Sequence, residues 1–529
     1  MVPVHAGADM NARATPTISF VIATHNRRTI VLRTLAHVAS CGLDRRDYEV
    51  IVVDNASEDG TPDAAAVHAD VIMRRDRNDG SCAKAHGVPL AKGTYIVFLD
   101  DDAYPRPGSI QRMIAHFERD ASLAAAGFCI HLPGGHAECS AMPGVFVGCG
   151  VGFRADALRR VGGLDATFFM QAEEYDVAFR LVQSGWRVAV FDDLHVEHAK
   201  TPRARRGDRT AYYDIRNNLR IAARYLPAIA FKAYRTDWIQ RYAWLAQHDG
   251  HDAAYAEGLT AGRARARLER WTYVRHRLSA VAFERFFCWD YIHDHMTRLA
   301  GAPNTAPRAR HLEADDRAPR QNASSANAGP KPRQLDAGTP SHDPAIVLAG
   351  FGKNIYAFHR AARRAGVQLR AIADDRFAAP GRTYRGLPIM TTDAAVAIQP
   401  DAFVISDTSY VHARKTQTNL ARCLDAAADT GNPTPPIHNW FLSPNAPYDA
   451  VSAQARWTNA RPTADETAGV ATARRPHDAL RSDAWPATRT ASPGLRDDAT
   501  HGAAPVRPAA HDTVTHASEP ADDASVHES

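Results

Sequence analysis

Three consecutive carboxylates, Asp100-Asp101-Asp102, stand directly behind the apolar run Tyr95-Ile-Val-Phe-Leu99. Adjacent carboxylates at the end of a buried strand repel one another and resist desolvation, so stability alone does not account for them. A hard divalent cation would offset that repulsion, because carboxylate oxygen is the donor that Mg²⁺ and Mn²⁺ prefer. Mg²⁺ is commonly held by one or two protein carboxylates together with substrate phosphates. Taken by itself, the triplet fits an acidic turn equally well. A second acidic group follows in Phe168-Phe-Met-Gln-Ala-Glu-Glu-Tyr-Asp176. A helix N-terminus favours negative charge, which explains acidity there but not two adjacent glutamates with Asp176 close behind. A general base for a hydroxyl nucleophile needs such a carboxylate, close to the acceptor and out of bulk water. Glu173 and Glu174 are the catalytic candidates, with Asp176 beside them as a substrate contact.

Other polar groups recur at predicted strand ends. Thr24-His-Asn-Arg27 and Asp54-Asn-Ala-Ser-Glu-Asp-Gly-Thr61 offer amides, hydroxyls and a carboxylate to a nucleotide; Ser57 and Asp59 equally suit a turn or helix cap. Asn78-Asp-Gly-Ser-Cys-Ala-Lys84 is a small-residue turn in which Gly80 permits close backbone approach and Lys84 supplies a cation. Val147-Gly-Cys-Gly-Val-Gly152 reads as a glycine-rich strand beside a ligand; it lacks the Lys-Ser/Thr pair of a P-loop. His195-Val-Glu-His198 closes a further strand and does not match a zinc helix motif.

The elements that position these groups are read from hydrophobic period. Strands are expected at 18–23, 49–53, 70–73 and 95–99, and helices at 29–40, 63–68 and 81–91. That alternation predicts an α/β fold with a doubly wound, mainly parallel sheet, whose ligands sit at the carboxyl ends of the strands. From about 205 to 300 the pattern is helical and rich in Arg and aromatics. Ala345-Ile-Val-Leu-Ala-Gly-Phe-Gly352, with Asp374-Asp375 some twenty residues on, opens a second, smaller Rossmann-like α/β unit. Ile355 stands there in place of a third glycine, and no catalytic constellation accompanies the unit. The expected organisation is a disordered N-terminus (1–15), a catalytic domain (16–225), a helical extension (226–300), a flexible linker (301–343), a Rossmann-like nucleotide-binding-type domain (344–442) and a disordered tail (450–529).

The 529 residues carry a formal charge of +4, too small for their length to argue for nucleic acid. Seven cysteines with no CxxC pair read as reduced core thiols. No run approaches a membrane span, so a cytoplasmic protein is expected, with peripheral contact at the inner face of the membrane as an added expectation.

In order, these motifs (Ala-Thr-His-Asn-Arg, Val-Val-Asp-Asn-Ala-Ser-Glu-Asp-Gly-Thr, Leu-Asp-Asp-Asp, Gly-Gly-Leu-Asp, Phe-Phe-Met, Glu-Glu-Tyr-Asp, Gly-Trp-Arg, His) resemble the family 2 glycosyltransferases of GT-A fold over residues 16–225. The resemblance implies an inverting, metal-dependent transferase of hexosyl type that uses a nucleotide-diphosphate sugar and Mn²⁺ or Mg²⁺. Its acceptor would be a glycan or a lipid-linked hydroxyl in cell-surface polysaccharide synthesis. It implies that Thr24, Asn26 and Arg27 line the nucleotide pocket, with Asp54 and Asn55 at the base. Gly80 and Lys84 join the donor site, and Asp100 and Asp101 lie by the ribose and sugar. Asp102 and His198 would hold the metal, and Glu174, where the family usually has Asp, would be the base, with Glu173 as the alternative. Tyr212-Tyr-Asp-Ile-Arg-Asn-Asn218 resembles a Tyr-Arg-Asn pattern of rhamnosyl- and galactofuranosyltransferase-like members. With Arg203, Arg205, Arg206 and Arg209 it is expected either to meet a phosphorylated lipid or anionic membrane, or to form a solvated basic helical face packed by its aromatics onto the catalytic domain. The triplet is Asp-Asp-Asp where rhamnosyltransferase-like members often have Asn-Pro-Asp. The rival functions are a nucleotidyltransferase, which would want a Gly-rich loop after the first strand, and a non-catalytic sugar-nucleotide sensor.

Overall fold

A computed structural model describes residues 15–200, 207–301, 344–428, 434–443 and 445–446. The expectations for the N-terminal segment, the linker, the tail and Arg203, Arg205 and Arg206 fall outside these residues.

The first sheet has nine strands: β1 (Ile18–Thr24), β2 (Tyr48–Asp54), β3 (Val71–Arg74), β4 (Tyr95–Asp100), β5 (Ala103–Pro105), β6 (Leu123–His131), β7 (Ala137–Glu138), β8 (Gly150–Arg154) and β9 (Arg187–His198). Their order is β3-β2-β1-β4-β8-β6-β9-β5, with β7 on β6. β3, β2, β1 and β4 run parallel, as do β6 and β9; β8, β5 and β7 pair antiparallel. β1 and β2 are buried on both faces and read as continuous apolar runs, which parallel strands covered by helices require. The expected α/β fold with a mainly parallel sheet is the one found. Two local readings differ. Residues 81–91 form only a 3₁₀ turn, Gly80–Ala83, and one helical turn, Lys84–Gly87. Val147–Cys149 is a turn, and the strand starts at Gly150.

Five helices follow between 207 and 299. The second sheet comprises β10 (Ala345–Ala349), β11 (Gln368–Ala373), β12 (Thr383–Tyr384), β13 (Leu387–Met390), β14 (Ala402–Ile405) and β15 (Ile437–His438), in the order β12-β13-β11-β10-β14-β15. Its Gly350-Phe-Gly352 turn is buried under helix Ala228–Asp249. Trp238 Nε1 donates to Lys353 O at 3.0 Å, Tyr234 Oη to Asn354 Oδ1 at 2.5 Å, and Arg241 to Phe351 O. Asp374 accepts from the amides of Phe351, Arg376 and Phe377. The amide and carbonyl of Gly350 and of Phe351 are therefore bonded within the protein. The second unit also touches the first sheet's domain: Thr408 Oγ1 donates to Ala141 O at 2.8 Å, and Val190 N to Asn445 Oδ1 at 2.9 Å.

Candidate active site

The register of β1, β2 and β4 pairs Thr24 with Asp54 and Ala23 with Asp100 at the carboxyl edge of the sheet. A cleft of about 400 Å³ opens there, lined by Thr24, Arg27, Asn55, Gly80, Lys84, Asp100, Asp101, Asp102, Glu173, Glu174 and His198 among others. Chain reversal after the triplet forms β5, which pairs with β9 so that Ala103 lies opposite His198. This ladder carries His198 to the aspartates: its Nε2 stands 3.3 Å from Asp102 Oδ1.

The three aspartates have different partners. Asp100 is bridged at 2.7 Å by Lys84 Nζ, which also donates to Gly148 O at 2.9 Å. Burial works against the Asp100 charge, but Lys84 and His198 hold its pKa below the usual value. Asp101 accepts from Thr24 Oγ1 at 2.8 Å and from Arg27 at 2.5 Å. Burial nonetheless pushes it up to about 7, with Asp102 and Asp100 adding to the rise against Arg27. Asp102 receives the other arm of the Arg27 fork at 2.9 Å. Thus Arg27 and Lys84, expected as ligand-facing cations, are committed to the triplet and neutralise part of its charge.

His198 is fixed from behind. Its Nδ1 meets Glu138 Oε2 at 3.0 Å and Cys149 Sγ at 3.5 Å. Burial opposes protonation of this ring, yet Cys149, Asp102 and Glu138 around it raise its pKa well above the ordinary value. When the ring is neutral, an Nδ1 proton donated to Glu138 leaves the Nε2 lone pair facing Asp102, the arrangement common behind metal-ligating histidines. Ligands in cis around an octahedral ion at about 2.1 Å lie about 3.0 Å apart, so the 3.3 Å between Asp102 and His198 suits a shared cation. Asp100, Cys149 and His198 also bring one ligand atom each within 4.8 Å of one another. The carboxylate is the donor that Mn²⁺ and Mg²⁺ take, and the imidazole adds one suited to a transition ion. Glu138 carries no sequence motif, and Cys149 sits in the glycine-rich Val147–Gly152 run, which is read for its glycines; β7 and the turn before β8 bring them in.

Glu173 and Glu174 begin helix Glu173–Gln183 and are 5% and 7% exposed. Glu173 Oε1 accepts from Ser81 Oγ at 2.8 Å, and Glu174 Oε1 accepts from Gly148 N at 3.2 Å. Their Oε2 atoms are buried without a hydrogen-bond partner among the described residues. Burial raises both carboxyls; Glu173 adds repulsion to Glu174, and Asp100 adds repulsion to Glu173. A Cβ on Gly148 would lie 3.0 Å from Glu174 Oε1, so the lack of a side chain there seats the carboxylate.

The loop before them is strained. Phe169 (φ 69°, ψ −62°) occupies a γ-turn closed by Met170 N donating to Phe168 O at 2.9 Å, and Gln171 and Ala172 both have φ 67°. Such conformations cost about 1–3 kcal/mol per non-glycine residue and persist only where surroundings impose them. Asn217 imposes this one. It is fully buried, and its Nδ2 donates to Phe168 O, Met170 O and Gln171 O at 3.0, 2.7 and 2.9 Å. Arg216 adds a bond to Thr167 O at 3.0 Å. Residues 212–218 are therefore neither a phosphate site nor a solvated face; they are buried and grip the loop that presents the two glutamates. Asn217→Ala is expected to lower turnover about tenfold or more while donor affinity stays within about twofold, since the loss falls on orientation. Steady-state kinetics with a separate nucleotide titration check this.

Three expected substrate contacts do not line the cleft. Asn26 holds the next loop: its Oδ1 accepts from Glu58 N at 2.7 Å and its backbone N–H donates to Ser57 Oγ at 2.8 Å. Asp54 is 2% exposed and accepts from Ser57 N. Asp176 is a correction of a plainer kind. It is locked by Arg224 at 2.9 Å, Tyr225 at 2.6 Å and Arg180 at 2.5 Å, which hold its pKa at about 2 against burial. It joins the helical segment to the catalytic domain. Gly80 does line the cleft, but the close approach it permits is to Phe169 O, 2.3 Å from where a Cβ would stand.

Residues 19–136 match the sequence model of the family described as Glycosyl transferase family 2. This segment belongs to that family. Among curated proteins, the chain is 32% identical over 104 residues to the succinoglycan biosynthesis protein ExoO of Rhizobium meliloti, covering 19% of this chain and 29% of that one. It is 29% identical over 129 residues to the glycosyltransferase AglE of Haloferax volcanii, covering 23% and 40%. The chain thus spans well under half the length of these curated relatives. Among solved structures, a mannosyltransferase of Pyrobaculum calidifontis in complex with GDP-Man and Mn²⁺ aligns at 20% identity, TM-score 0.35, over 50% of this chain and 80% of that one.

Proposed function

We propose that this family 2 domain transfers a sugar from a nucleotide-diphosphate donor to a hydroxyl acceptor with inversion at the anomeric carbon. The observation that carries the reading is the placing of two buried, high-pKa glutamates on the same cleft as the aspartate triplet and His198. On this reading, Thr24, Asn55 and the triplet face the donor nucleotide. Asp102 and His198 would hold a divalent cation, with Asp100 and Cys149 beside them; when bound, that cation would offset the charge of the leaving diphosphate. Arg27 orients Asp101 and Asp102, and Lys84 orients Asp100. Glu174 takes the acceptor proton as the oxygen attacks the face opposite the diphosphate, so no covalent intermediate on the protein is needed. Its Oε2 is the acceptor for that proton, and Gly148 N–H steadies Oε1. We read the reaction as hexosyl transfer into cell-surface glycan, to a glycan or lipid-linked acceptor on the cytoplasmic side.

The test is a panel of nucleotide sugars with Mn²⁺ or Mg²⁺, read as nucleoside diphosphate release with and without acceptor glycans. One donor is expected to yield diphosphate and to be accelerated by a hydroxyl acceptor. Release of pyrophosphate from a nucleoside triphosphate plus sugar phosphate would identify a nucleotidyltransferase instead. Tight binding without release from any donor would identify a sensor.

A further inference from the structure

Among the described residues, seven large apolar side chains are exposed, and four of them fall within fourteen positions of chain: Leu268 (43%), Trp271 (81%), Val274 (52%) and Val281 (71%). They occupy the end of helix Asp252–Thr272, the turn after it and the start of helix Ala280–Phe287. On the first of these helices, from Thr260 onward, the exposed positions are Thr260, Arg263, Ala264, Arg267, Leu268, Trp271 and Thr272, a single stripe at helical spacing. Its opposite face is buried: Gly258 and Gly262 pack onto the backbone of Tyr212 and Arg216, where a Cβ would meet atoms at 2.3 and 2.8 Å. The stripe is thus left outward because the other face is committed to the core.

The charge of this region is one-sided. Between Gly258 and Phe283 there are six arginines and a single carboxylate, Glu269. Glu269 is 1% exposed and turned inward, bonded by Arg220 and Arg224 at 2.9 and 2.6 Å. Arg263, Arg267 and Arg275 are exposed and interleave with the apolar side chains. None of these residues lines the cleft.

We propose that the surface carrying Arg263, Arg267, Leu268, Trp271, Val274, Arg275 and Val281 docks the protein on an anionic phospholipid bilayer. Trp and aliphatic side chains enter the headgroup boundary while guanidinium groups pair with lipid phosphates, the two terms that peripheral attachment combines. A second copy of the chain fits less well, because an isologous contact would set this all-cationic patch against itself. Among the described residues no helix is long and apolar enough to cross a membrane, so attachment there is to the surface.

The full-length protein is mixed with sedimentable vesicles of phosphatidylcholine alone and of phosphatidylcholine with phosphatidylglycerol. Binding is expected only to the second, and to fall steeply with salt. L268A/W271A is expected to weaken the partition about tenfold, and R263Q/R267Q/R275Q on the order of a hundredfold. Thermal melts and donor binding should stay unchanged, since these side chains are solvent-exposed; if the apolar pair unfolds, the arginine triple alone decides. No binding to anionic vesicles, or equal binding by both variants, overturns the proposal. So does a concentration-dependent dimer in sedimentation velocity that W271E dissociates, which would make this face a contact between copies. These readouts do not involve sugar transfer, so a failed donor panel leaves them standing.

Discussion

Glu174→Gln is expected to lower turnover about a hundred- to ten-thousandfold, the range for loss of a general base, with donor affinity retained. Glutamine keeps the shape and the Gly148 N–H contact but cannot take a proton. The pH dependence gives a second handle. Burial, with Glu173 beside it, pushes the Glu174 carboxyl up to about 8. The free enzyme's kcat/KM should therefore climb with pH and level off near 8 in the wild type. The same shift has a stability sign. Below about pH 4.5 both folded and unfolded chains keep the proton. As pH rises toward 8 the unfolded chain loses it while the folded protein retains it, so folding stability falls across that window. Glu174→Gln should thus be more stable than wild type in urea at neutral pH and equal to it at pH 4. A variant with wild-type turnover would overturn the base assignment; unchanged stability at neutral pH would place the carboxyl's pKa near its ordinary value.

Asp102→Ala is expected to cut transfer at least about a hundredfold, because it removes a carboxylate that would hold the cation offsetting the charge of the leaving diphosphate. The direct readout is Mn²⁺ affinity by electron paramagnetic resonance with nucleoside diphosphate present, which should fall together with activity. Chelation of wild-type protein should abolish transfer, and added Mn²⁺ or Mg²⁺ should restore it. Arg27 keeps its stronger contact, to Asp101 at 2.5 Å, so the variant's fold is expected to survive. Full activity in the wild-type protein after exhaustive chelation would remove the cation from the proposed function.

Much of the site could be read in the chain because strand-end residues are local. The apolar run 95–99 ends at Asp100, as the run 18–23 ends at Thr24, and parallel packing brings both to one edge. The helix start at Glu173 was legible for the same reason. The resemblance to a known family already put Asp102 with His198, but other pairings made through distant elements escaped. Asp176 looked like a third acid of the site, but its partner Arg224 lies 48 residues away on another helix. Lys84 looked like a free cation, but burial at 2% requires the partner it finds in Asp100. Arg216 and Asn217 looked like surface chemistry, and their burial against carbonyls of a strained loop has no periodic signature.

By itself the sequence determined the α/β alternation, the strands and the polar groups that must emerge at their ends, since hydrophobic period and local turn chemistry act over a few residues. Only the tertiary structure decided which of those groups share a cleft. The β5–β9 ladder brought His198 to Asp102, and helix Gly207–Tyr225 locked the loop before Glu173. It also left Trp271 and its arginines facing outward. Burial and charge compensation depend on atoms far apart in the chain, and those are matched only when the elements pack.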